Sequence, residues 1–411
     1  MKILFIHQNF PAQYRHIVQA LVKEGVHEIY ALCMNKVENI LGISIIRHMA
    51  SIKKPSSHPY LSLYEDNIQR GHSVALSAKI LKERGFEPDV ICAHPGWGEA
   101  LFIKNIFPNS KLICYQEFYY NSKGSDVDFD PEYPPTSSDY LFTTQLRNST
   151  ILQSLSQADF NVTPTQWQKK QFPDIFKQQI MTLHDGIDTN IVKPNHNAFI
   201  DIKERGLLLS AKDELITFVS RNLEPYRGFH TFMRALPSLL DARPNAHVMI
   251  VGGDDVSYGR KLPNGQTYRQ KYLTELNGQI DMNRVHFVGR VPYQVFINIL
   301  QISAVHIYLT YPFVLSWSLL EAMSTGCAIV ASSTPPVTEV IKNGYNGLLV
   351  DFFSPDELRA AVESVLLHPD RMSDMRERAR EFVVQNYDLK KICLPAHLEL
   401  IKKIVSAKNS N

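Results

Sequence analysis

The chain has 411 residues, of which 43 are Lys or Arg and 41 are Asp or Glu, so its formal net charge is only +2. A balance this close to neutral argues against a nucleic-acid partner, because such proteins carry a strong positive field. The length exceeds what one hydrophobic core usually serves, so two domains are expected.

The first half of the chain opens on a short apolar run that is typical of a buried strand. Lys2–Ile6 forms this run, a loop over residues 7–14 follows it, and a helix is predicted through Leu21. The loop is polar and aromatic rather than glycine-rich. We therefore expect a bulky and specific loop at the end of the first strand.

Two further strands end at residues with useful chemistry. Asp89–Ala93 leads to His94, and Lys111–Tyr115 leads to Glu117. His94 is either a satisfied structural histidine or part of an active site. Glu117 either orients a substrate hydroxyl or is an ordinary loop carboxylate.

A polar, acidic and proline-rich loop is predicted between Asn121 and Asp139. Its alternating acidic residues invite a calcium interpretation, and they are Asp126, Asp128, Asp130 and Glu132. The spacing of the twelve-residue calcium loop, with its terminal glutamate, is absent. We therefore favour a loop beside the substrate, because structureless loops of this length are often functional.

The alternation of strands and helices restarts near Leu215, after a Pro/Asn-rich stretch at Lys193–Asn195. Such alternation in both halves predicts two doubly wound parallel sheets. The strand Phe218–Leu223 carries Arg221 at its end, and Arg227 follows six residues later. The two cations either clamp a diphosphate through charge-assisted hydrogen bonds or are surface arginines.

A helix with a buried face is predicted shortly after Tyr311. Leu319, Leu320 and Met323 recur at helical spacing, and Glu321 lies among them in the first turns. A carboxylate there accepts both hydroxyls of a ribose, and the helix N-terminus suits a diphosphate. The alternative is that Glu321 is one of many solvated helix glutamates.

These motifs together resemble those of family 4 of the retaining glycosyltransferases. The family has two glutamates eight residues apart; here Glu321 is the second, and Phe313 stands at the first position. Arg227 replaces a lysine of the family, and Ser316 stands where a glycine is common. The strand-Gly-Pro run Val285–Pro292 resembles the family's base-binding loop.

The resemblance implies the GT-B architecture, in which two Rossmann-like α/β domains face a central cleft. It predicts an acceptor-binding domain over residues 1–190 and a nucleotide-sugar domain over 191–385, with a helix over 386–411 that returns to the first domain. It also implies sugar transfer from a nucleotide donor with retention of anomeric configuration. In that reaction the departing phosphate helps to deprotonate the acceptor, so neither a metal nor another cofactor is expected.

The resemblance assigns residues to both substrates. The catalytic candidates are Arg221, Arg227, Glu321 and His94. His94 stands where relatives have a histidine that contacts the donor sugar. The donor-binding candidates are Arg221, Arg227, Val288, Gly289, Arg290, Phe313, Val314, Leu315, Ser316, Trp317 and Glu321, with the backbone N–H groups of residues 315–317 available to sugar and phosphates. The acceptor-binding candidates are Asn9, Phe10, Pro11, Gln13 and Glu117.

The expected partners are a nucleotide-diphosphate sugar of the UDP or GDP type and a glycan or lipid-linked acceptor, in the synthesis of surface polysaccharide or glycoconjugates. One alternative is a sugar-nucleotide epimerase, although no clear carboxylate pair is present to handle a sugar C–H bond. The other alternative, suggested by Phe313, is a non-catalytic protein that binds a nucleotide sugar or a glycan. The base, sugar, acceptor and oligomeric state are not assigned.

The location is predicted from the cysteines and the first residues. The five cysteines are odd in number and form no Cys-x-x-Cys pair, which indicates reduced thiols in a cytoplasmic protein. The apolar run after Lys2 is too short for a signal sequence or a spanning helix. The pairs Lys53–Lys54 and Lys169–Lys170 suit either peripheral contact with anionic lipid at the inner membrane face or ordinary solvation.

Overall fold

The structure, a computed structural model, describes residues 1–50 and 58–408. The chain divides into two compact units. Of the described residues, the first contains 1–50, 58–128, 134–186 and 390–408, and the second contains 129–133 and 187–389. These limits lie within a few residues of the sequence-based ranges, except that residues 129–133 belong to the second unit.

The first unit is built on a seven-stranded parallel sheet. Its strands are β1 (Lys2–Ile6), β2 (Glu28–Cys33), β3 (Ser44–Arg47), β4 (Val90–Ala93), β5 (Lys111–Tyr115), β6 (Phe160–Thr163) and β7 (Ile180–Thr182). Its helices are α1 (Arg15–Glu24), α2 (Ser62–Glu83), α3 (Ile103–Ile106), α4 (Tyr140–Arg147), α5 (Ser149–Gln157), α6 (Gln166–Gln171) and α7 (Asp174–Lys177). The strand order across the sheet is β3, β2, β1, β4, β5, β6, β7.

The second unit contains a six-stranded parallel sheet and a short antiparallel hairpin. The hairpin pairs β8 (Phe199–Ile202) with β9 (Leu207–Ser210), and the sheet contains β10 (Leu215–Asn222), β11 (His247–Gly253), β12 (Val285–Gly289), β13 (Val305–Tyr308), β14 (Ala328–Ser332) and β15 (Leu348–Val350). The helices are α8 (Phe229–Ala242), α9 (Tyr268–Glu275), α10 (Tyr293–Gln301), α11 (Trp317–Ser324), α12 (Pro335–Thr338), α13 (Pro355–Leu367) and α14 (Ser373–Asn386). The order across the sheet is β12, β11, β10, β13, β14, β15.

The last helix, α15 (Leu394–Lys408), follows a π-helical turn at Leu389–Cys393 and packs in the first unit. Ile401 and Ile404 on α15 join Ile3 and Phe5 of β1 in one hydrophobic core. Leu4 and Ile6, the alternate residues of β1, face a second core on the opposite side of the sheet.

Burial on both faces explains the continuous apolar strands. Ile3–Ile6 is fully buried, and so is every residue of β14, as expected for parallel strands covered by helices on both sides. The doubly wound α/β prediction is therefore confirmed for both units.

The strand order creates a comparable crevice in each unit. The first strand of each sheet is central, and the chain winds outward from it in both directions: β1 lies between β2 and β4, and β10 lies between β11 and β13. Ligands of open α/β sheets bind beyond the carboxyl ends of the strands where this reversal occurs. The loops after β1, β4, β10 and β13 are therefore the places to look for function.

Candidate active site

In the second unit the loop after β13 leads directly into α11, and several side chains hold it in place. The Tyr311 N–H donates to the Tyr226 carbonyl (3.0 Å), and the Thr310 N–H donates to Ser332 Oγ (3.1 Å). The Ser316 N–H donates to the Tyr308 hydroxyl (2.9 Å). The amide of Ser316, predicted to face a ligand, is thus already bonded within the protein.

The side chain of Ser316 caps α11. Its Oγ accepts the Ser318 N–H (3.3 Å), so one orphan donor of the first turn is satisfied. Trp317, the first residue of the helix, is substantially exposed. The N-terminus of α11 therefore opens at the crevice beside β10, where a positive helix end favours an anionic ligand.

Arg227 is buried and braces this loop. Its side chain is 8% exposed, and Nη1 donates to Tyr308 Oη (3.2 Å), Thr310 Oγ1 (2.7 Å) and the Val314 carbonyl (3.2 Å). A cation held by the last residue of β13 and by two oxygens of the loop that follows fixes the backbone that carries Phe313–Ser316. The charge of Arg227 lies close to the N-terminus of α11, but its hydrogen bonds give it a structural role, which is to hold this loop in place.

Arg221 differs from Arg227 because it is exposed at the carboxyl end of β10. Among the described residues it makes no ion pair or hydrogen bond through its side chain. The neighbouring Asn222 is buried and accepts from Arg290 Nη2 (2.8 Å) while donating to Ser257 Oγ (2.8 Å). Arg221 is therefore the cation that remains available to a ligand at this strand end.

Glu321 is buried, with 7% of its surface exposed, in the second turn of α11. The Tyr293 hydroxyl on α10 donates to its Oε1 (2.7 Å). Burial raises the pKa of Glu321 to about 7, and the hydrogen bond from Tyr293 acts in the opposite direction. A buried carboxyl near neutrality, behind a helix N-terminus at a sheet crevice, marks a functional-site candidate.

Phe313 lies in an aromatic cluster rather than at an open polar position. It is 4% exposed, and its ring meets Tyr258 (4.9 Å) and Tyr226 (5.7 Å) edge to face. Tyr226 in turn stacks on Tyr311 (4.5 Å). The position predicted to meet the donor therefore presents a packed ring that can offer a ligand no hydrogen bond.

The loop predicted to hold a base is Val288–Arg290, at the end of β12. Gly289 adopts a left-handed backbone with φ of 65°, which suits glycine. Arg290 is exposed and ties this loop to β10 through its bond to Asn222. The three residues therefore lie, like Arg221, at the carboxyl ends of the strands of this sheet, and β12 is two strands away from β10.

Sequence reasoning missed Glu224, which organises the neighbouring loop. Its buried carboxylate accepts the N–H groups of Ser257, Tyr258 and Gly259 at distances from 2.8 to 3.3 Å. These bonds hold Tyr258 against Phe313. No local signal marks Glu224, because the segment that it binds begins 33 residues later.

In the first unit the loops after β1 and β4 bring His7 and His94 together. Their ring centroids lie 5.0 Å apart, and Trp97 stacks on His94 at 4.4 Å. His94 Nδ1 accepts the Gly96 N–H (3.3 Å), so a neutral ring carries its proton on Nε2, which lies 3.6 Å from Glu117 Oε2. The structure thus places two predicted residues, His94 and Glu117, side by side.

The predicted acceptor loop is organised around His7. The Asn9 N–H donates to His7 Nδ1 (2.9 Å), and Gln13 Oε1 lies 2.8 Å from His7 Nε2. Burial, followed by the charge of His94, lowers the pKa of His7 to about 3, so this ring stays neutral. Phe10 packs into the core instead of lining the loop surface, and Pro11 follows it through a cis peptide bond.

Glu99 is a second residue that sequence reasoning missed. It is fully buried just after Trp97, and neither carboxylate oxygen has a hydrogen-bond partner. Burial raises its pKa to about 7. Its position within the loop that carries His94 was the only available signal.

The acidic loop does not hold together as one element. Residues 121–128 and 134–139 belong to the first unit, whereas Phe129–Tyr133 belongs to the second. There Asp130 binds the Tyr311 hydroxyl and Glu132 binds Arg234 and Lys271. Across residues 1–50 and 58–408 no three His, Cys, Asp or Glu side chains are grouped to hold a metal ion.

Two lysine pairs were predicted to suit either contact with anionic lipid or ordinary solvation. Lys53–Lys54 lies outside the described residues, and Lys170 is exposed beside a half-buried Lys169. In the part of the chain that the structure describes, every helix is too short or too polar to cross a bilayer.

Comparisons with known proteins give consistent matches along the chain. Residues 25–192 match the model described as "Glycosyl transferase family 4 group", and residues 201–382 match the one described as "Glycosyl transferases group 1". An uncharacterized glycosyltransferase of Methanocaldococcus jannaschii is 30% identical over 177 residues, which cover 43% of this chain and 42% of that protein. The matches span about half the length of the first curated relatives.

Two solved structures resemble the whole chain. Sucrose-phosphate synthase from Thermosynechococcus elongatus has a TM-score of 0.72 at 15% identity, covering 99% of this chain and 100% of that one. The Anabaena protein HepE, in complex with UDP, has a TM-score of 0.66 at 17% identity, covering 98% and 100%. Identities this low establish a shared fold and leave the chemistry to the site itself.

Proposed function

Because this chain belongs to the family 4 glycosyltransferases of the GT-B fold, we propose that it transfers a sugar from a nucleotide-diphosphate donor to a glycan or lipid-linked acceptor with retention of configuration. The observation that carries the proposal is the buried carboxyl of Glu321 on α11, a helix whose N-terminus opens at the crevice of the second sheet. A ribose bound by Glu321 would set the diphosphate across that helix end.

Each polar group of the site has a task in this reaction. Departure of the nucleotide develops negative charge on its phosphate, and the exposed guanidinium of Arg221 and the N-terminus of α11 stabilise that charge. Arg227 keeps the loop before α11 in shape and adds its charge nearby. The leaving phosphate takes the acceptor proton on the same face, so the proposal includes no metal or other cofactor.

In the first unit, we assign the acceptor to the crevice around His94 and Glu117. Trp97 is half-buried, and its stacked ring offers an apolar platform of the kind that binds a sugar face. Glu117 retains an exposed side that can orient an acceptor hydroxyl. Surface polysaccharide or glycoconjugate synthesis on the cytoplasmic side, with peripheral membrane contact, completes the proposal; all five cysteines are buried free thiols, as a reducing compartment favours.

A titration with UDP, GDP and ADP tests the donor site. Calorimetry on the native protein and the Glu321→Ala variant should show one nucleotide binding the native protein and binding the variant at least about tenfold more weakly. UDP is the first choice, because HepE was solved with it. Equal affinity in both proteins would remove Glu321 from the site.

Turnover is tested separately with the matching nucleotide sugars and a panel of glycan and lipid-linked acceptors. Product analysis by NMR should show the donor's anomeric configuration retained, with activity unaffected by EDTA. An inverted product would contradict the mechanism, and a rearranged sugar released without acceptor would indicate an epimerase.

Phe313 favours one second candidate, a non-catalytic nucleotide-sugar or glycan binding protein. The ring is packed where the family has a glutamate, so a polar contact to the donor is lost. Nucleotide binding without turnover under any acceptor would support this candidate.

A further inference from the structure

The segment Phe129–Tyr133, here called the strap, is the only part of the chain between residues 58 and 186 that the structure assigns to the second unit. The residues on both sides of it belong to the first unit. Five residues cannot form a core of their own, so the strap depends on the surface that it contacts. The contacts of the strap show which part of the second unit it holds in place.

One end of the strap is held by aromatic packing. The ring of Phe129 lies 5.1 Å from Tyr311, 5.1 Å from Phe352 and 5.0 Å from Phe353. Tyr311 also meets Phe352 at 5.4 Å. Phe129 thus inserts between the loop after β13 and the segment after β15, where its ring packs against aromatic side chains of both.

The centre of the strap is held by a buried carboxylate. Asp130 is 4% exposed, and its Oδ2 accepts the hydroxyl of Tyr311 and lies 3.3 Å from His230 Nε2. Its Oδ1 accepts the Glu132 N–H (2.9 Å), which keeps the strap in a tight turn. Hydrogen bonds to a charged acceptor of this kind are the strong ones.

The other end is held by charge. Glu132 accepts from both terminal nitrogens of Arg234 (2.6 and 3.1 Å) and from Lys271 (3.2 Å). Tyr133 bonds to Tyr272 beside them. This cluster anchors the strap to α8 and α9, away from the loop after β13.

Tyr311 connects the strap to the proposed donor site. Its backbone and ring are both joined to Tyr226, and its carbonyl accepts the Phe313 N–H (2.7 Å) at the start of the loop that ends at the Ser316 cap. We propose that Phe129 and Asp130 are positioning residues of the donor site: they hold Tyr311 and thereby fix the loop that leads to the N-terminus of α11. This inference rests on the proposed function, because it assigns that loop to a nucleotide sugar.

The test removes the hydrogen bond between Asp130 and Tyr311 by substituting each of its two partners in turn. Asp130→Ala and Tyr311→Phe should each increase amide hydrogen exchange at residues 311–317 at least about fivefold in the ligand-free protein. Each should raise the KM for the donor sugar about threefold to tenfold and leave the acceptor KM unchanged. The double variant should be no worse than the more damaging single variant, because both delete the same bond.

Asp128→Ala is the matched control, since Asp128 is an exposed carboxylate immediately before the strap and belongs to the first unit. It should leave exchange and both KM values as in the native protein. The inference is overturned if Asp130→Ala leaves exchange at 311–317 unchanged, if donor and acceptor KM shift equally, or if Asp128→Ala has the same effect.

Two further features keep the outcomes distinct. If Asp130→Ala does not fold, Tyr311→Phe carries the test, because it removes a single oxygen atom and keeps the ring. Hydrogen exchange is measured without nucleotide, so its result does not depend on the proposed function. If the native protein binds no nucleotide but the variants exchange faster at residues 311–317, the proposed function is contradicted and the role of the strap in holding the loop is still supported. Normal nucleotide binding with no exchange response would overturn the strap alone.

Discussion

At the scale of single residues, Glu321 shows how burial sets a charge. Its pKa of about 7 in the folded protein lies above the ordinary value of 4.5 because the carboxyl is desolvated. Between those two values the folded state binds a proton that the unfolded state has lost. By linkage, the free energy of unfolding must therefore fall as the pH rises through this interval. Below the interval there is no loss, and above it the full loss remains without further change with pH.

We expect this effect to cost the native protein up to roughly 3 kcal/mol between about pH 4.5 and pH 7. Glu321→Gln keeps the shape and cannot ionise, so denaturant unfolding should show the variant gaining stability relative to the native protein as the pH rises. All other titrating groups are common to both proteins and cancel in the difference. A difference that stays constant with pH would mean that Glu321 ionises at its ordinary pKa.

The two arginines of the site should respond differently to removal. Arg221 is exposed, so Arg221→Ala should lower turnover about 10²–10³-fold while leaving the melting temperature nearly unchanged. Arg227→Ala removes one donor from each of three oxygens, and although Tyr308 Oη keeps the Ser316 N–H, each group that stays unsatisfied costs about 1–3 kcal/mol.

We therefore expect Arg227→Ala to lower the free energy of unfolding by several kcal/mol, as measured by urea denaturation. Arg227→Lys should recover part of that loss, because it restores one donor. Equal losses of stability in the two alanine variants would mean that Arg221, like Arg227, is a structural residue.

At the scale of elements, Gly228 joins the 3-10 turn Pro225–Arg227 to α8. Its φ is 65°, and a Cβ there would lie 2.3 Å from the Cβ of the buried Leu309. Gly265 shares a left-handed backbone, with φ of 72°, but a Cβ at that position meets open space. Comparing alanine substitutions at these two glycines therefore separates the cost of backbone strain from the cost of a steric clash.

Gly265→Ala should cost about 1–2 kcal/mol from strain alone. Gly228→Ala should cost clearly more, because Leu309 begins the loop that Arg227 braces and has no room to move. Thermal unfolding of both variants measures the difference, and similar melting temperatures would mean that the loop yields easily.

The sequence predicted elements where the signal was local. Lys2–Ile6 and Lys111–Tyr115 were identified to the residue, since continuous apolar runs are what a parallel sheet requires. The strap was not identified, because its partners lie far along the chain: 181 residues separate Asp130 from Tyr311. The burial of Arg227 was invisible for the same reason, since its three oxygen partners lie more than 80 residues away.

At the scale of the whole molecule, each unit has its own hydrophobic cores, and α15 contributes to the first unit although it follows the second in sequence. Ile404 is 1% exposed in the core that contains Ile3 and Phe5. Truncating the Ile404 side chain should therefore destabilise the first unit, whose β1 lies hundreds of residues earlier in the sequence. The helices of the second unit that precede α15 in the sequence should not be affected.

We expect Ile404→Ala to destabilise the first unit by about 2–5 kcal/mol, as deletion of a buried side chain normally does. Hydrogen exchange should quicken in β1 and β4, while β10 and β13 keep their native protection, because Ile404 packs in the core that contains β1. Lys403→Ala, an exposed neighbour on α15, is the control and should change neither sheet. Faster exchange in both sheets would show that the two units unfold as a single cooperative structure, and unchanged exchange in β1 would mean that α15 contributes little to the first core.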